Sequence, residues 1–99
     1  MGRLDWTMAD RIKFENIPNN TNHKVMLAWL ETNIEPANKR DKDGNTMPYY
    51  VNVISQYAQY AGETNLWHLE VRGSSLKKIV EIADTKLAVR FALECTYAK

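Results

Sequence analysis

Residues 48–62, PYYVNVISQYAQYAG, carry four of the chain's five tyrosines between a proline and a glycine. Read for helical signals, the segment is well framed. Pro48 suits a first turn, Thr46 or Asn45 serves as the cap, and Gly62 supplies the left-handed residue that ends a helix. Tyr50, Val53, Ile54, Tyr57 and Ala61 then fall on one face, and Tyr49 and Tyr60 fall outside that stripe. This predicts a helix with two accessible rings. A tyrosine combines a large, fairly rigid contact area with a hydroxyl that still finds a partner, so the cluster marks a candidate interaction surface.

Upstream, Asp10 to Phe14 alternates, with Ile12 and Phe14 against Arg11 and Lys13, the period of a half-buried strand. Pro18 and the Asn19-Asn20-Thr21-Asn22 run end it, and the Asn and Thr side chains of 19–21 are expected to cap the next helix. His23 to Ile34 places Leu27, Leu30 and Ile34 with Met26 and Trp29 on one side, an amphipathic helix that Pro36 stops. Residues 37–47 show no apolar period and contain Asp43-Gly44-Asn45, so they read as an exposed loop between helices.

Downstream, Trp67, Leu69 and Val71 alternate with His68, Glu70 and Arg72, which predicts a strand over 66–72 closed by a turn at Gly73-Ser74-Ser75. Leu76, Ile79, Val80 and Ala83 fit two helical turns. The last segment reads both ways. Leu87, Val89, Phe91, Leu93 and Cys95 alternate without error, favouring a strand, whereas its Ala, Leu, Arg and Glu are strong helix formers. The combined reading is an α+β fold, a small antiparallel sheet packed against two or three helices, with a mostly α-helical protein as the alternative.

The 99 residues suit one domain, with Met1 to Thr7 a loosely attached extension. A composition of 44% hydrophobic and 25% charged residues is that of a globular chain, expected to fold without a cofactor. A net charge of +1 gives no global field for nucleic acid or an anionic membrane. The lone Cys95 allows neither an intrachain disulfide nor a thiolate metal site. No apolar run reaches the ~20 residues that span a bilayer, and no secretory leader is evident, so a cytoplasmic location is expected.

Candidate chemistry is sparse. His68 on the strand reading shares a face with Glu70 and Arg72, a set that could serve acid–base work on a phosphate ester, although the polar face of a half-exposed strand looks the same. Glu31 and Glu35 stand four apart on a helix, where they could hold Mg²⁺ or simply be solvated. Gly2, Gly44, Gly62 and Gly73 lie too far apart for a phosphate loop. No catalytic or metal residue is therefore assigned.

The binding residues selected are Tyr49, Tyr60 and Trp67 with Lys39, Arg40 and Arg72. They point to a small non-enzymatic protein that binds another macromolecule, chiefly a protein, as inhibitor, adaptor or accessory subunit, of a size that fits viral or mobile elements. A nucleic-acid-binding domain using Lys39, Arg40, Arg72, Lys77 and Lys78 is the first alternative. A hydrolase or nucleotide-processing enzyme built on His68 is the second. No membrane partner is expected, and monomer and homodimer fit the sequence equally.

Overall fold

Alternation in Trp67 to Arg72 splits one strand between two environments, and the whole architecture grows from that split. The computed structural model describes residues 11–18, 21–52, 57–73 and 77–97. In chain order it forms β1 (Ile12–Phe14), α1 (His23–Asn33), β2 (Tyr50–Asn52), β3 (Tyr57–Ala61), β4 (Trp67–Arg72), β5 (Lys77–Ile82) and α2 (Thr85–Phe91), and α2 runs on into a π-helical segment, Ala92–Tyr97. The strands make one antiparallel sheet in the order β1-β5-β4-β3-β2. The protein is thus a small α+β domain, as its sequence predicts, and no described helix is long and apolar enough to cross a membrane.

Both helices pack on the same face of the sheet. Met26 and Leu30 from α1, Ala88 and Phe91 from α2, and Cys95 meet Trp67, Leu69, Val80 and Ile82, all buried. Phe91 sits at the centre, edge-on to Phe14 at 5.1 Å and to Trp29 at 5.6 Å between ring centres. Trp29 Nε1 donates to Glu94 Oε1 at 2.6 Å, and Arg90 reaches Asn33 Oδ1 at 3.0 Å, tying the two helices together at the rim.

Three segments differ from their sequence reading. In the segment 48–62, Tyr50–Asn52 and Tyr57–Ala61 are strands, not helix: they are β2 and β3, paired with Asn52 opposite Tyr57. Tyr and Val suit a pleated surface better than a helix, and the pairing of all of β3 with β4 decides the matter. Gly62 accordingly caps no helix. Residues 77–82 form a strand whose Lys78, Val80 and Ile82 are buried in alternation, the β-branched Ile79-Val80 pair favouring extension. The final segment is helical. Its buried residues Ala88, Phe91 and Cys95 recur at helical spacing, and Asp84 caps it by accepting from Leu87 N at 3.0 Å.

Other expectations shift by a residue. The cap of α1 is Asn22, which accepts from Lys24 N at 2.8 Å, while Thr21 is buried beneath it. The loop 37–47 joins α1 to a strand, not to a helix, and is folded on itself: Arg40 and Thr46 form a bridge, and Asp41 Oδ1 accepts from both Asp43 N and Asn45 N. Gly44 takes a φ of +83° there, a conformation that disfavours any side chain. The extension 1–7, Asn19 and Asn20 as caps, Val53 and Ile54 of the tyrosine stripe, the Ser74-Ser75 turn and Leu76 lie outside the described residues.

Candidate functional site

Cross-strand register assembles the second face of the sheet. His68, Glu70 and Arg72 of β4 stand opposite Ala61, Gln59 and Tyr57 of β3 on one side and Glu81, Ile79 and Lys77 of β5 on the other. Tyr50 of β2 continues the row, opposite Gln59. No described helix covers this side.

A β-bulge then adds one more ring. Tyr49 N donates to Gln59 O at 2.9 Å although the register partner of Gln59 is Tyr50, so two residues oppose one. The bulge turns Tyr49 and Tyr50 to the same face in spite of their being neighbours. At one end of the face the Tyr49 hydroxyl donates to Gln59 Oε1, and His68 Nε2 lies 2.9 Å from that hydroxyl and 3.0 Å from Gln59 Oε1. The Gln59 carbonyl has two lone pairs and can accept from both neighbours, an arrangement that requires the Nε2–H tautomer of His68. At the other end Tyr57 meets Tyr50 edge-on at 5.4 Å, Arg72 lies 5.6 Å from the Tyr57 ring centre, and Arg72 Nε donates to Glu70 Oε2 at 2.9 Å.

Burial sets the protonation of these groups. It holds His68 below its ordinary value, outweighing the Glu81 and Glu70 carboxylates that push the other way, while Arg11 adds to the lowering. His68 is a neutral imidazole at pH 7. Burial and then the hydrogen bond to Glu70 push Tyr57 up to about 12, and burial raises Tyr49, helped by Glu70 and Glu81. All three rings are uncharged hydrogen-bonding groups.

Beside His68 lies a pocket of about 400 Å³ lined by Asn38, Lys39, Tyr49, Ala61, Asn65 and His68. On the β3 side the cross-strand neighbour of His68 is Ala61, whose small side chain leaves this space open. Its walls are held by the two carboxylates that the sequence offered as metal ligands. Glu31 accepts from Ala37 N at 3.0 Å, from Arg40 Nη2 and from Thr46 Oγ1, pinning both arms of the 37–47 loop. Glu35 accepts from Thr64 N at 3.0 Å, from Thr64 Oγ1 and from Leu66 N at 2.9 Å, fixing the turn before β4. Gly62 leaves room for this, since a Cβ there would collide with Glu35 Oε2. Their i, i+4 spacing does put both on one helical flank, as read from the sequence, but what they hold is backbone. Among the described residues no group of three His, Cys, Asp or Glu could hold a metal ion.

The six binding residues selected from the sequence separate. Tyr49 and Lys39 meet at the pocket, and Arg72 lies farther along the same face. Tyr60 is half-buried on the helix side, opposite Leu69. Trp67 is fully buried, its Nε1 donating to Glu35 O at 2.9 Å. Arg40 is committed to Glu31 and to Gly44 O. Of the two remaining basic residues, Lys77 is exposed on the open side and Lys78 is buried on the other. His68 shares the face of Glu70 and Arg72 as predicted, yet those two bond each other and the imidazole turns to Tyr49 and Gln59. Asn38, Tyr50, Tyr57, Gln59 and Asn65 were missed. Alternation in 57–61 was the available signal for two of them, obscured by the bulge that breaks the period at Tyr49.

Fold and site together define a small α+β domain that leaves a tyrosine-bearing sheet face open. Compared with known proteins, the chain matches no family model, no curated protein and no solved structure.

Proposed function

We propose that this is a protein-binding domain, acting as an inhibitor, adaptor or accessory subunit, that engages its partner through the open face of the sheet. The observation that carries the reading is the row of Tyr49, Tyr50 and Tyr57, the first two exposed and flanked by exposed Met47 and Val51. These residues belong to an uncharged run of 19 residues, 44–62, in a chain where a quarter of all residues are charged. Depletion of charge with enrichment in tyrosine is the composition of an interface core.

The surrounding charges favour protein over nucleic acid. Arg72 is paired with Glu70, Arg11 with Glu81 and Lys13 with Glu15, which leaves little field for a phosphate backbone. The geometry of the edge also favours contact through side chains. β2 is three residues long, begins beside a bulge and comes just after Pro48, all features that blunt strand addition.

The test is an affinity pull-down from the native cell lysate, with nuclease, comparing wild type with a Tyr50→Ser, Tyr57→Ser double variant. A stoichiometric protein that survives nuclease and is lost from the variant is the expected result. Recovery of nucleic acid alone, removed by nuclease, would transfer the function to nucleic-acid binding.

A further inference from the structure

We propose that the pocket beside His68 receives a carboxylate, that of an acidic side chain on the protein partner. The inference rests on the open face being a protein-binding surface and names the chemistry of one contact on it. The residues that line it carry one ammonium, on Lys39, two carboxamides, on Asn38 and Asn65, the Tyr49 phenol and the His68 imidazole, and no carboxylate. The carboxylates nearby are already engaged: Glu31 by Arg40 and Thr46, Glu35 by Thr64 and Leu66, Glu81 by Arg11, Glu70 by Arg72. Lys39 makes no ion pair among the described residues. An anion entering the pocket therefore meets a cation that no described carboxylate has claimed, and a charge-assisted hydrogen bond to it is stronger than a neutral one.

The backbone of Lys39 is fixed before any ligand arrives. Asn38 N donates to Ala61 O at 2.7 Å, and Lys39 O accepts from Met47 N at 3.0 Å, so hydrogen bonds on both sides of the residue anchor its backbone to the sheet and to the returning arm of the loop. Asn65 is held likewise, its φ of 61° locked by a hydrogen bond from its own N–H to Gly62 O, while its carbonyl accepts from Arg11 Nη1 at 2.8 Å. That bond sets the Arg11 guanidinium behind the wall. At about 400 Å³ the space lies in the range of small-ligand pockets, room for a carboxylate and the few carbons that carry it.

The experiment is an NMR titration of the full chain with N-acetyl-glutamate and with its neutral counterpart N-acetyl-glutamine, carried out on wild type, Lys39→Gln and a remote control, Lys86→Gln. Saturable shifts at Asn38, Lys39, Asn65 and His68 with the acid are expected, with affinity falling about tenfold for the amide or for Lys39→Gln and unchanged in Lys86→Gln. Equal titration by acid and amide, or indifference to Lys39→Gln, overturns the carboxylate site.

The source of the carboxylate is read in the pull-down. Weaker capture by Lys39→Gln, and release of partner by added N-acetyl-glutamate, support the partner's side chain. Capture that ignores both, while the free acid still binds, overturns that source and leaves the open-face reading intact. Loss of capture in the Tyr50, Tyr57 variant judges that reading separately.

Discussion

The two faces of β4 obey different rules although they alternate residue by residue along six positions. On one, Trp67 and Leu69 lie against helices with no solvent access and interact by shape alone, apart from the single indole hydrogen bond. On the other, His68, Glu70 and Arg72 find every partner across strands or along the face, in hydrogen bonds and ring contacts at the boundary with water. The first face is where burial makes the domain stable. On the second, contacts at the boundary with water add less to stability.

The contrast is broken most severely by truncation on the covered side. Trp67→Ala should cost about 3–5 kcal/mol, a large share of the stability of a domain this size. Tyr50→Ser on the open side should change stability by no more than about 0.5 kcal/mol while abolishing partner capture. Urea denaturation of the two variants checks the first half. Equal losses would mean that the open face is structural.

A smaller effect comes from the brace that joins the faces. Gly62→Ala would drive a methyl group into the Glu35 carboxylate, so the bonds to Thr64 and Leu66 must give way. The expected cost is about 1–3 kcal/mol, that of losing hydrogen bonds to a charged group. Combined with Glu35→Ala, the substitution should add much less than it costs alone, because the clashing carboxylate is gone. Additivity in this double-mutant cycle would show that Glu35 is not the reason for the glycine.

How far the sequence discloses this arrangement depends on whether a single local pattern decides an element. Trp67 to Arg72 was legible because alternation, β-rich composition and a terminal glycine agree. Met26 and Leu30 were legible as core because Asn22 and Pro36 bracket a helical period. Residues 48–62 were not. Tyr50 and Tyr57 sit at helical spacing yet belong to paired strands, and the bulge at Tyr49 hides the strand period. Over 87–95 two complete patterns competed, and contacts of Phe91 with Phe14 and Trp29, remote in sequence, select the helical one. The α+β class survives because segments read as helix became strand and the last strand became helix. The site fared worse. Tyr49 and His68 are 19 positions apart, and nothing local announces that a bulge brings their rings to a centroid distance of 6.1 Å.

Titration gives a subtler measure of the difference between the faces. The His68 pKa is lowered from 6.5 by burial, so below that pH the unfolded chain takes up a proton that the folded chain still refuses. Stability from this residue is complete above about pH 6.5 and is lost as pH falls toward the folded value. His23, lowered first by burial and then by Lys24 and Lys78, adds the same sign. The urea midpoint of His68→Gln should therefore fall less than that of wild type between about pH 7.5 and 5.5. Identical slopes would place the imidazole in water.

Tyr49→Phe should have a small effect, and it separates the packing role of the ring from the bonding role of its hydroxyl. The ring is partly exposed, and the hydroxyl shares Gln59 Oε1 with the His68 ring N–H. Removing it leaves no buried group orphaned, since Gln59 keeps the imidazole as donor and water can reach the vacated position. The loss should stay under about 1 kcal/mol. The imidazole, relieved of one neighbour, should still show the Nε2–H tautomer in its ¹⁵N shifts, because Gln59 alone fixes that choice. A switch to Nδ1–H would mean that Tyr49 holds the tautomer, and the open face would then be a network with Tyr49 at its centre instead of rings placed side by side.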